Sequence, residues 1–125
     1  MNLKTVGFYH LTPLAQRREE LRALRRDSPD ARKDAILNYL ESGVLCAATP
    51  GIEEDVLRDP PVSIGPPDVL TDGVWAWPRT LAHYVRQHHI ALPDEFMEHM
   101  KANAWSCARS VEIDALTIEG WVRMN

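Results

Sequence analysis

Five histidines, two cysteines and a run of acids are the residues of this chain whose chemistry reaches beyond packing. The histidines are His10, His83, His88, His89 and His99. A zinc site takes three or four ligands at short, recurring spacings, and the chain holds neither H-E-x-x-H nor C-x-x-C. His83 and His88 fall about 140° apart around a helix, so their spacing does not stack one above the other. His88-His89 closes a helical stretch, where donor side chains satisfy the last carbonyls. Structural histidines, with no metal and no cofactor, are therefore expected. The competing possibility is a small metal- or ligand-binding, enzyme-like domain that uses His83, His88 or His99 beside the tryptophans.

Covalent and phosphate chemistry find no foothold either. No G-x-S-x-G is present, and Ala104-Trp105-Ser106-Cys107-Ala108 has only a superficial likeness to a catalytic cysteine neighbourhood. The glycines are scattered singly, so neither G-x-G-x-x-G nor G-x-x-x-x-G-K-[ST] can form a phosphate cradle. Glu53-Glu54-Asp55 pairs carboxylates in a loop without an aromatic cleft to hold a sugar. No enzyme is expected. Cys46 and Cys107 are too few for a disulfide framework and read as free thiols.

The acids matter as a surface. Between Glu53 and Asp72 stand Glu53, Glu54, Asp55, Asp59, Asp68 and Asp72 against a single Arg58. These six are the residues expected to meet a partner, and they favour a basic one. Charge is split along the chain: residues 1–40 carry eight Lys/Arg against five acids, a balance of +3, while the rest carries −7 and the whole −4. Arg18, Arg22 and Arg25, flanked by Arg17 and Arg26, form a stripe that can touch phosphates. Glu19 and Glu20 interrupt it, and the acidic whole speaks against nucleic acid.

The elements that must position these residues follow from punctuation and periodicity. Thr5 to His10 is β-branched and aromatic, a short opening strand. Thr12-Pro13 and Ser28-Pro29-Asp30 each announce a helix. The first turns Leu14, Leu21 and Leu24 inward and ends near Asp27; the second carries Ala35, Ile36, Tyr39 and Leu40 and stops at Gly43 through a left-handed residue. Val44 to Ala48 reads as a buried strand, and Val62-Ser63-Ile64 as an edge strand. Five of nine prolines fall between residues 50 and 67, a stiff irregular connection. Asp72-Gly73 then turns a hairpin whose second strand puts Trp75 and Trp77 on one face and Val74 and Ala76 on the other. At least one of these tryptophans belongs in the core, since burying either removes roughly 150–250 Å² from water. Leu81, Tyr84, Val85 and His88 share a helical stripe. Leu92-Pro93-Asp94-Glu95 opens another helix with Phe96, Met97, Met100 and Ala104 inward. Residues 110–125 fit a short final helix through Ala115, Ile118 and Val122. One α+β domain over residues 1–125 results: a small antiparallel sheet with a hairpin, covered by four to five helices. No apolar run approaches the ~20 residues of a membrane span, and the first ten residues lack a secretory leader's apolar stretch. A cytoplasmic protein is expected.

Thr71-Asp72-Gly73-Val74-Trp75-Ala76-Trp77-Pro78, Leu81-Ala82-His83-Tyr84-Val85 and Leu92-Pro93-Asp94-Glu95-Phe96, preceded by Tyr39-Leu40-Glu41-Ser42-Gly43-Val44, resemble a group of small bacterial proteins that share a D-G-x-W-x-W hairpin. The resemblance covers about residues 36–102. It implies an accessory or immunity protein encoded beside a secreted polymorphic toxin, and it carries over no catalytic or binding residue. A cognate protein toxin, bound and neutralised by surface complementarity, is the partner it implies.

Overall fold

The computed structural model describes residues 2–106 and the strand Thr117–Ile118. In chain order the elements are β1 (Asn2–Thr5), a 3₁₀ turn (Tyr9–Leu11), α1 (Leu14–Leu24), α2 (Lys33–Glu41), β2 (Val44–Ala47), β3 (Glu53–Asp55), β4 (Val62–Gly65), β5 (Val69–Thr71), β6 (Trp75–Pro78), α3 (Leu81–His88), α4 (Asp94–Ala102) and β7 (Thr117–Ile118). The class is α+β. The main sheet has the order β2-β5-β6-β1-β7, and β3 pairs with β4 in a separate two-stranded sheet.

The main sheet is mixed rather than antiparallel. β2, β5 and β6 are antiparallel, but β1 runs parallel to β6, with Lys4 opposite Trp75 and Thr5 opposite Ala76. Parallel pairing needs a long crossover, and the whole chain between β1 and β6 supplies it. The opening strand also lies earlier than its β-branched residues suggested. Gly7 ends it in the left-handed region (φ +80°), and a Cβ there would stand 2.8 Å from the Leu81 side chain. Of the tail, Thr117–Ile118 pairs in parallel with β1 as a strand, which places Ile118 outside a helix; the rest of the expected final helix lies outside the described residues.

The hairpin forms as expected, with Leu70 opposite Trp77 and Thr71 opposite Ala76. Gly73 takes the positive φ (+99°) of the turn. Asp72 Oδ1 accepts the Val74 and Trp75 amides at 2.9 and 2.8 Å, so the turn is tied by its own side chain. Both tryptophans are core: Trp77 is 0% and Trp75 6% exposed, packed with Tyr39, Leu40, Leu81, Val85, Phe96 and Met100. The Trp77 indole donates to the Leu40 carbonyl at 3.0 Å, fastening β6 under α2. Ala76, on the other face, packs with Leu3 and Val69 beneath Phe8, Cys46 and Ala47.

Four expectations change at the edges. Gly43 does not use a left-handed conformation. It makes room, because a Cβ there would fall 2.7 Å from Trp77 Cζ2 and 3.0 Å from Leu70 Cβ. β2 is an edge strand and only partly covered, with Leu45 exposed. α1 ends at Leu24 rather than near Asp27, leaves Leu14 in solvent, and buries Leu21 against Val56, Tyr84 and Ile90. Ala104 lies past the end of α4 and is exposed.

Candidate functional site

α3 is packed on two sides. Leu81 and Val85 face the main core, while Tyr84 faces α1 and the small sheet. A helix turns about 100° per residue, so the same turns that bury Val85 aim His83, Tyr84 and His88 at β3. β3 answers with alternation: Glu53 and Asp55 point inward and Glu54 outward.

Asp55 is the centre of this contact and has no exposed surface. Its Oδ2 lies 2.7 Å from His83 Nε2 and 2.7 Å from His88 Nε2. Arg58 Nε stands 3.7 Å from the same oxygen, and Oδ1 accepts the Leu57 amide at 3.0 Å. Burial alone would raise the Asp55 pKa. The hydrogen bonds from His83, His88 and Leu57 outweigh it and hold the carboxyl below the usual aspartate range. Tyr84 pins the strand on both sides of Asp55: its hydroxyl donates to the Glu54 carbonyl at 2.9 Å and accepts the Val56 amide at 3.4 Å. Burial, then the charge of Glu53, pushes the Tyr84 pKa up. His88 is buried, and its Nδ1 has no hydrogen-bond partner among the described residues.

Beside this centre lies a second buried carboxyl. Glu53 Oε1 accepts the Thr80 hydroxyl and lies 3.7 Å from His10 Nδ1; Oε2 has no partner among the described residues. Thr80 occupies the cap position of α3 yet gives its hydroxyl to Glu53 instead of the helix. A cleft of about 240 Å³ opens here between His10, Arg17, Thr49, Ile52 and Glu53. A third network lies across the core, where Asp72 Oδ2 accepts the Tyr39 hydroxyl and sits 2.9 Å from His99 Nε2.

The six acids expected at a partner surface are thus divided. Glu53, Asp55 and Asp72 are buried and engaged inside the domain. Glu54 and Asp59 are exposed, and Asp68, half-buried, accepts the Thr49 amide at 2.9 Å. Burial follows from strand alternation at Glu53 and Asp55, and from the tied turn at Asp72. The histidines converge more than their spacing suggested. Their i, i+5 offset straddles Tyr84, and a carboxylate beside the helix is within reach of both rings. The legible signal was Tyr84 and His88 at i, i+4 on the buried stripe, a polar edge that demanded a polar partner. His99 has Asp72 as its partner, while His89 caps α3 in the left-handed region (φ 52°) with Lys33 Nζ 3.3 Å from its Nδ1. Cys46 is free and its pKa is raised by burial; Cys107 lies outside the described residues.

Two imidazoles and a carboxylate focused on one point can hold a cation or relay a proton. No family model, curated protein or solved structure matches the chain. Among the described residues no helix is long and apolar enough to cross a membrane.

Proposed function

We propose that this chain is a cytoplasmic, non-catalytic interaction protein of the immunity kind, which binds and neutralises a cognate basic bacterial toxin by surface complementarity. The observation that supports this is the open edge at β2. That strand pairs with β5 on one side, and its other side has no strand partner among the described residues. Leu45 stands in solvent on this strand at 50% exposure, and Ile52 at 60% and Val62 at 46% are exposed apolar side chains further along the chain. An open edge takes a partner strand through main-chain hydrogen bonds, and an exposed apolar side chain on it, such as Leu45, gives that strand an anchor. Exposed Glu54 and Asp59 supply the charge that a basic partner meets. The sequence resemblance names the partner class.

Co-expression with the toxin encoded beside it is the test. Wild-type protein should restore growth. Leu45→Asp and Ile52→Asp, at exposed positions, should keep the thermal midpoint within a few degrees yet weaken binding by at least about tenfold, as charge placed in an interface core does. Continued killing with soluble, folded protein present would sink the assignment.

A further inference from the structure

We propose that Asp55, His83 and His88 bind a divalent transition-metal ion of the zinc class, through Asp55 Oδ2 and the Nε2 atom of each histidine. The three ligand atoms lie within 4.8 Å of one another, on residues that the small sheet and α3 hold from opposite sides. The donor set selects the ion. Imidazole nitrogen with one carboxylate suits zinc, cobalt(II) and nickel, whereas magnesium and calcium take oxygen ligands. A tetrahedral ion about 2.0–2.1 Å from each atom sets its ligands roughly 3.3 Å apart. Each imidazole therefore retreats by about half an ångström from its 2.7 Å contact. His83, part of whose side chain is in solvent, has the freedom to do so.

Hydrogen bonding alone leaves the cluster unsatisfied. Both Nε2 atoms must carry protons to donate to Asp55, and that leaves the buried Nδ1 of His88 as a bare acceptor without a partner. Such an orphan is rare in a folded protein and costs free energy. A metal bond at Nε2 moves the His88 proton to Nδ1, a donor that also lacks a partner among the described residues; what favours the ion is the convergence of three ligand atoms on one point. The cluster is also braced as metal ligands are: Tyr84 ties the backbone on either side of Asp55, and the Leu57 amide fixes Oδ1. Three protein ligands leave a coordination position for solvent. The competitor is Arg58, whose guanidinium approaches the ligating oxygen and whose side chain is 52% exposed, so it can swing aside.

Titration of the wild-type chain with cobalt(II) near neutral pH is the direct measurement. One ion per chain should bind, with the visible d–d absorption of a nitrogen- and oxygen-ligated ion, and zinc should displace it. His83→Gln, at the rim of the cluster, should weaken binding by about tenfold or more. Arg58→Ala should tighten it by roughly three- to tenfold, because a competing positive charge leaves Asp55. Zinc should raise the thermal midpoint of the wild type and Arg58→Ala above that of His83→Gln. A folded wild-type chain that binds no cobalt(II), or uptake that is equal in wild type and His83→Gln, overturns the proposal. Should His83→Gln fail to fold, an affinity unchanged by Arg58→Ala does the same. The site stands independently of toxin binding, since protection from killing and metal uptake are read separately.

Discussion

His10 lies 3.7 Å from Glu53, close enough for an ion pair, yet burial drives both groups toward neutrality. Desolvation and then the positive charge of Arg17 lower the His10 pKa below its ordinary 6.5. Desolvation raises that of Glu53 above 4.5, against the pull of Thr80, Arg17 and His83. Both shifts disfavour the charged form, and pH tests them. A histidine with a depressed folded-state pKa contributes stability that is fully present above 6.5 and is lost as pH falls through its folded value. Glu53 acts oppositely, regaining stability as it protonates at lower pH, so the wild-type curve alone mixes the two. Comparison with His10→Asn separates them. Urea midpoints at several values between pH 7.5 and 5 should show wild type losing ground to the variant as pH falls below 6.5. Parallel curves would mean that His10 is as readily protonated folded as unfolded.

At the scale of elements, the hairpin, the α3 stripe and the start of α4 were legible because each is local: an Asp-Gly turn, a 3.6-residue period, a proline followed by acids. The parallel pairing of β1 with β6 was not, since it joins strands far apart in sequence and no local pattern specifies a direction. Gly43 was read correctly as a boundary and for the wrong reason. Its demand for space depends on Trp77 and Leu70, which arrive from another part of the chain. The Asp55 cluster was hidden similarly, because spacing along α3 shows how two rings diverge but not which strand lies between them. Gly43 offers the sharper test. In Gly43→Ala the new methyl meets the rigid indole of a fully buried tryptophan and the Leu70 side chain near the sheet backbone. The substitution should therefore destabilise by about 1–3 kcal/mol, the usual cost of overpacking a core. Denaturant unfolding followed by tryptophan fluorescence measures it. Unchanged stability would show that the α2–β2 junction has slack at this contact.

For the whole molecule, what matters is how charge and exposed apolar side chains are distributed. The chain is −4 overall, and its positive balance is confined to residues 1–40. Several arginines of that segment, Arg22, Arg25, Arg26 and Arg32, are solvent-exposed. Much of the acidic segment's charge is turned inward; on the proposed reading, the exposed Glu54 and Asp59 would steer a partner and the exposed Leu45, Ile52 and Val62 would give it apolar contact. Steering and anchoring have different kinetic signatures: long-range charge acts on the association rate, and desolvated contacts act on dissociation. If this protein captures a basic toxin, raising salt from low ionic strength to about 0.3 M should slow association by roughly tenfold as screening shortens the field. Dissociation should change little. Glu54→Gln combined with Asp59→Asn should flatten the salt dependence with a modest loss of affinity, whereas Leu45→Asp should act mainly by hastening dissociation. Surface-immobilised toxin and stopped-flow mixing give both rates. An association rate indifferent to salt would remove charge from the recognition, and a salt-dependent rate unaltered by the double substitution would move the contact to another face of the molecule.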